Sequence, residues 1–526
     1  MDANNQSPRL TFGIELEIVC AWPNTNPRIS SQQAIYYAIL GAGIPVVGAE
    51  PDKVADEAWR KTQREYTHWL IHEDMEELTQ AEDDALPRLH EPHSVELSSR
   101  KFTLGVDDWE GEIRQVLDVL KKVENMGCRF FTNRSTGFHV HVGKEGASLS
   151  LQTGKRILQL MTAFERQLDD VHATNRILYP VDYTFDYWCT PLTWWFAHNQ
   201  NSDDSLNLFD WMGDIESVES LQELRALFHL NEDFVASVDN PFCRVSSRNC
   251  HHSAVNVEHL YDASTMSNDT GTVEFRQHGG TYDFLAITHW VELLTTLVRY
   301  CESENPAHFL ALLPHCVDTD YELRDLLQAL GCPAATVQYY SPASAASDTT
   351  IGFMADDRTT LNVAYTADLD ALVHANEAEQ TSRLDLSSHA RQRILAEKQY
   401  GYWQPIVIRS TYLDDYATHD LRDAVLSFYQ DEVDNIATHC VPFGASLETP
   451  TRAARVNVWN RLSTVFVAAC RGEVSRVEDC EVFDGKPRLL IEGRAEMEVD
   501  EVAVRGERDE VMGEAGEVEE FGEMVY

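Results

Sequence analysis

The chain has 526 residues, 43% of them hydrophobic and 24% charged, a globular composition with ample material for a core. Its formal net charge is −44, and so acidic a surface repels phosphate backbones and anionic lipid, which excludes nucleic acid and membrane surfaces as partners. A local basic or metal-loaded pocket for an anionic nucleotide stays compatible with it.

MDANNQSPRL carries no apolar leader, and no run of about 18 apolar residues follows. The eleven cysteines are scattered, with no CxxC pair. Both features predict a soluble, cytoplasmic protein. Cys243, Cys250, His251 and His252 lie close enough to suggest zinc, but they match no standard finger spacing.

In chain order, period-two alternation marks strands at Thr11–Val19, Ser94–Ser98, Phe138–Val142, Ser253–Val257 and Thr272–Gln277. Residues 21–64, broken by prolines and glycines, read as an insertion after the first strand. Ile113, Val116, Leu117, Leu120 and Val123 recur at helical spacing, with Gly127 suited to the C′ position. Ile157, Leu160, Met161, Phe164, Leu168 and Val171 mark a second helix, and Phe284–Cys301 a third. Helices set between non-adjacent strands predict an α+β domain over residues 1–305.

Beyond it the sequence predicts a helical extension at 306–340, a linker at 341–360 and a helical region at 361–475. The last of these contains Asp368–Glu379, Ser387–Lys398, Asp414–Ala437 and Arg452–Cys470. Residues 476–526 form an acidic tail with too little apolar surface to offset the entropy of ordering.

The polar positions of the strands carry the chemistry. In FGIELEIV, Ile14, Leu16 and Ile18 oppose Glu15 and Glu17. In SVELSS, Val95 and Leu97 oppose Glu96 and its flanking serines. In GFHVHVG, Phe138, Val140 and Val142 oppose His139 and His141. In GTVEFRQH, Val273 and Phe275 oppose Glu274, Arg276 and His278. Polar outer faces are ordinary on antiparallel strands. Glutamate, however, is depleted on strands, and two carboxylates about 5 Å apart at an effective dielectric of 20 repel by about 3 kcal/mol. A cation on a shared face removes that penalty. Carboxylates with an imidazole suit Mg²⁺ or Mn²⁺, and an arginine beside them suits an anionic substrate.

FGIELEIV, HWLIHED, VELSS, STGFHVHVG, AVNVEHL and GTVEFRQHGGTYD follow one another in the order seen in the fungal-type amidoligase family. The chain resembles that family over roughly residues 11–300. The family is distantly similar to glutamine synthetase and glutamate–cysteine ligase. The resemblance implies a glutamine-synthetase-like fold, a curved antiparallel sheet around a metal–nucleotide site. It also implies ATP- and Mg²⁺-dependent joining of a small-molecule or peptide carboxylate to an amine through an acyl phosphate. By the same resemblance Glu15, Glu17, Glu96, Glu274 and His139 are metal ligands, while Arg276, His139 and His141 act in catalysis. Arg276, Asn256 and His278 are assigned to the nucleotide or substrate, and Asp74 of HWLIHED stands as a further acid. Ser99 departs from the proline that the family commonly places after VELS, which bears on local turn geometry. Two other readings stay open at this point. One is a metal-dependent hydrolase built on H-x-H plus carboxylates, and the other a non-catalytic nucleotide- or metal-binding scaffold. The substrates and the oligomeric state are not legible.

Overall fold

A computed structural model describes residues 8–341 apart from 24–28, 49–65, 75–77, 87–89, 174–175, 178–188, 198–207, 230–252, 262–269, 304–305 and 318–320. It also describes 371–378 except 372 and 377, and 480–489 except 484–485. The Cys243/Cys250/His251/His252 group lies outside these residues, as do the expected helices at 387–398, 414–437 and 452–470.

The fold is α+β. Its centre is strand β1 (Leu10–Pro23), the longest of the sheet. The sheet runs β2 (Val46–Gly48), β3 (Trp69–His72), β4 (His90–Ser98), β1, β7 (Gly137–Lys144), β9 (Val273–Gly279), β8 (Val255–Asn256). Short strands β5 (Phe102–Thr103) and β6 (Arg129–Phe131) pair with the two ends of β1. The expectation of an antiparallel sheet needs one correction: β2 and β3 run parallel. Residues 49–68 between them are long enough for the crossover that parallel neighbours require. The segment read as an insertion contributes to this same sheet: residues 21–23 end β1, α1 (Ser31–Gly41) follows behind a Ser30 capping box, and β2 adds an edge strand.

One face of the sheet is apolar. Ile14, Leu16, Ile18, Phe138, Val140, Val142 and Phe275 are all buried there in one continuous core, each contributing about 1.5–3 kcal/mol by leaving water. Helices α3 (Trp109–Glu124) and α6 (Phe284–Ser303) pack against each other, and α6 packs on β1 and β7. α3 forms where the spacing predicts. Asp108 caps it by accepting from Gly111 N, acids occupy its first turn, and Lys121 and Lys122 its last. Its C-cap is Asn125, so Gly127, with φ +98°, lies one residue past the expected C′ position.

The second predicted helix is not continuous. α4 (Leu151–Ala163) stops at Phe164, whose φ −105° and ψ 21° leave the helical region. A short helix, Glu165–Leu168, and a 3₁₀ turn, Asp169–Val171, follow. The Glu165 carboxylate turns to accept from Leu192 N and Thr193 Oγ1, starting the helix Leu192–Ala197. Trp194, Trp195 and Phe196 of that helix are buried in the core.

Residues 306–340 carry the helices Pro306–Leu312, Leu323–Leu330 and Ala334–Tyr340. Within the segment expected as a tail, Cys480–Phe483 and Lys486–Leu489 pair as a two-stranded antiparallel sheet. No helix among the described residues is long and apolar enough to cross a membrane.

Candidate active site

The opposite face of the sheet gathers the polar positions into neighbouring rungs. Residues directly across an antiparallel pair share a face. Glu17 stands across from Glu96 on β4, and Glu96 across from His72 on β3. On the other side of β1, Glu15 stands across from His139 on β7. His141 stands across from Glu274 on β9, and Glu274 across from Asn256 on β8. Glu15, Glu17, Glu96, His139, His141, Glu274, Arg276 and Asn256 therefore meet in one trough, although they come from stretches far apart in sequence.

His139 is at its centre, 1% exposed. Its Nδ1 lies 3.1 Å from Glu15 Oε2, 3.3 Å from Glu17 Oε1 and 3.6 Å from Glu274 Oε1, with Arg276 Nη1 at 3.4 Å. Its Nε2 is buried without a hydrogen-bond partner. Arg276 Nη1 donates to Glu274 Oε1 at 2.5 Å, Asn256 Nδ2 to Glu274 Oε2 at 2.8 Å, and His141 Nε2 lies 3.0 Å from Glu15 Oε1. One rung away, Glu96 Oε1 meets His72 Nε2 at 3.0 Å and Ser98 Oγ at 2.8 Å. Asp74, just past β3, is near enough to act electrostatically on both Glu17 and His72.

Crowding shifts these groups in opposite directions. Burial pushes Glu17 well above the usual carboxylate range; Asp74 and Glu96 add to this, and Arg276 and Arg176 offset it only in part. Burial and then Glu15 raise Glu96. Burial would raise Glu274 too, but Arg276 and then His141 outweigh it and hold it at about 2. Glu15 also resists its burial, because His141 and hydrogen bonds from both histidines keep it well below the usual range. Burial, followed by Arg276, lowers His139 to about 4, so that ring is neutral. His141, held against burial by Glu15 and Glu274, rises to about 9 and is charged. The raised Glu17 and His141 both answer a surplus of buried negative charge. That surplus is what a divalent cation would neutralise.

The donor chemistry fits such an ion. Glu15, His139 and Glu274 bring three ligand atoms within 4.8 Å of one another, and so do His141, His259 and Glu274. Carboxylate oxygens with one imidazole suit Mg²⁺ or Mn²⁺, and the second, imidazole-richer set leans to Mn²⁺.

His278 is a correction. Period two would aim it with Glu274 and Arg276, but a β-bulge interrupts the β7–β9 register. Val140 pairs with Phe275, then Phe138 with His278, so Arg276 and Gln277 together oppose His139. The extra residue turns His278 to the helix-packed face, where its ring meets Phe138 and Trp290.

His259 and Arg176 escaped the sequence reading, as did His72, which meets Glu96. His259, in AVNVEHL, lies beyond the end of β8, where alternation no longer gives direction; its Nε2 is 3.8 Å from Glu274 Oε2 and its ring centroid 5.8 Å from that of His141. Arg176, 4% exposed, donates through Nη2 to the backbone carbonyl of Arg276 at 2.8 Å and braces the bulge. No local pattern marks a lone arginine in ATNRI.

A family model described as "Putative amidoligase enzyme" matches residues 8–298, which hold every residue of the trough. No curated protein matches the chain.

Proposed function

The chain belongs to this amidoligase family, a family of ligase-type enzymes, and from that premise we propose that the trough is an ATP- and Mg²⁺-dependent site joining a carboxylate to an amine. The observation that carries the reading is the set of three buried or half-buried carboxylates around His139 Nδ1, with Arg276 on the same face.

Glu15, Glu274 and the neutral His139 would hold the cation, with Glu17 beside them. When bound, the cation neutralises the triphosphate and the charge that develops during phosphoryl transfer. In the reaction, a substrate carboxylate oxygen attacks the γ-phosphorus and ADP leaves. The amine nitrogen then attacks the acyl carbon, phosphate departs and the nitrogen gives up a proton, so each amide consumes one ATP. Arg276 is held in place by Glu274, ready to meet phosphoryl oxygens without reorganising. His141, 3.0 Å from Glu15 Oε1, stands at the more open side of the trough. Asn256 fixes the second oxygen of Glu274. A glutamine-synthetase-like fold and small-molecule or peptide substrates belong to the same proposal.

One observation favours a second reading. His259 gives the hydrolase alternative the third imidazole that strand patterning lacks. That reading assigns no task to the buried Arg276. The two separate on nucleotide dependence. Purified full-length chain with Mg²⁺, ATP and an acid–amine library should release ADP and phosphate. Glu15→Gln and Arg276→Ala should each reduce release by at least about 100-fold. Equal activity in both variants removes the site, and turnover without nucleotide supports hydrolysis.

A further inference from the structure

Alternate positions of β1 continue the trough face past Glu17 to Val19 and Ala21, where the face turns apolar. Val19 and Ala21 form a small separate cluster with Phe131 and Val373, all buried, with Leu78 and Leu86 against it. Val373 comes from the helical residues of 371–378, beyond the 8–298 family match and across the stretch expected as a linker. Among its described residues Val373 and Asn376, three apart, are buried, while Ala371, His374, Ala375 and Ala378 are exposed. Val373 thus packs on the same face of β1 that carries Glu17, two and four residues further along the strand.

Its polar contact leads back to the site. Asn376 Nδ2 donates to Glu82 Oε1 at 3.0 Å. Glu82, 3% exposed, sits in the short helix Gln80–Ala85, and its Oε2 accepts from Thr79 N at 2.7 Å and from Asn133 Nδ2 at 3.2 Å. Asn133, 1% exposed, builds the turn before β7: its Oδ1 accepts from Ser135 N, Ser135 Oγ and Thr136 N. That turn delivers Gly137, whose N–H donates to Glu17 Oε2. Both oxygens of a buried carboxylate are engaged by three donors from three separate segments, an arrangement in which loss of one donor is felt by the others.

We infer that Asn376 is a positioning residue for the active site: through Glu82 and Asn133 it fixes the turn that aims Glu17, and the segment carrying it packs on the face of β1 that carries Glu17. The inference rests on the proposed cation site for its functional consequence, whereas its geometric content stands apart from that reading.

The test uses full-length chain. Asn376→Asp keeps the size but replaces the amide donor by a charge facing Glu82, while Asn376→Gln keeps the donor. Hydrogen exchange is followed in peptides spanning 132–141 and, as an internal control, 273–279. Mn²⁺ affinity is measured by direct titration. In Asn376→Asp, exchange in 132–141 should rise about tenfold with 273–279 unchanged, and Mn²⁺ should bind about three- to tenfold more weakly. Asn376→Gln should stay within about twofold of wild type in both. Wild-type exchange in 132–141 for Asn376→Asp overturns the inference. So does faster exchange with unaltered Mn²⁺ affinity, which leaves the segment only a packing role. If the wild-type chain binds no Mn²⁺, the cation-site reading falls, and exchange in 132–141 alone decides whether Asn376 positions Glu17.

Discussion

Glu17 and Glu96 face each other across the β1–β4 pair, two largely buried carboxylates on one rung. Burial raises the pKa of both; Asp74 and Glu96 raise Glu17 further, and Glu15 raises Glu96 further. A group whose folded pKa lies above its unfolded value binds more protons in the folded state. Stability from that source is therefore present at low pH and is lost as pH climbs through the carboxylate range and beyond. Glu17→Gln removes the penalty while an amide oxygen can still accept from Gly137. The metal-free variant should be more stable than wild type at pH 8 by about 1–2 kcal/mol, with the gain vanishing toward pH 4. Thermal unfolding across that range without divalent ions checks it. With Mg²⁺ or Mn²⁺ added the order should reverse, because bound ligand stabilises only the chain that binds it well.

The trough was legible where strand alternation holds. Glu15, Glu17, Glu96, His139, His141 and Glu274 all lie on strands whose apolar partners alternate cleanly, so side-chain direction follows from position alone. It failed where backbone irregularity sets direction. The bulge at Arg276 and Gln277 inverts His278, and His259 lies past a two-residue strand. Strands β2, β5 and β6 are too short to show a period, and Trp69–Leu70–Ile71 of β3 are buried without alternation. The helix near 368–379 was readable from its spacing. Its docking onto β1 was not, because a single valine and asparagine on one face carry no signal of their target.

The bulge makes His278 and His259 a matched pair for a titration. His278→Gln changes a ring packed on Phe138 and Trp290 and should leave Mn²⁺ affinity within about twofold of wild type while lowering stability by about 1–2 kcal/mol. His259→Ala removes one donor of the His141–His259–Glu274 set and should weaken one class of Mn²⁺ site at least about tenfold. Stability should hardly change, since His259 is partly exposed. Electron paramagnetic resonance of free Mn²⁺, paired with calorimetric unfolding of both variants, separates the two outcomes. Weakened binding in His278→Gln alone would mean that period two, not the bulge, describes β9.

Gly137 sits where the trough leaves no room for a side chain. A Cβ there would collide with His139 Nε2 and come to 3.0 Å from Glu17 Oε2, so the backbone must approach both groups bare for its N–H to reach Glu17. Gly137→Ala must displace the His139 ring or the start of β7. Since His139 is the buried centre of the cluster, movement of its ring pulls Nδ1 away from Glu15 and Glu274. Overpacking of this kind costs about 1–3 kcal/mol, and divalent-ion binding should fall by at least about tenfold. Mn²⁺ titration beside thermal unfolding measures both. A stable Gly137→Ala protein that binds Mn²⁺ as wild type would show that His139 does not organise the ion site.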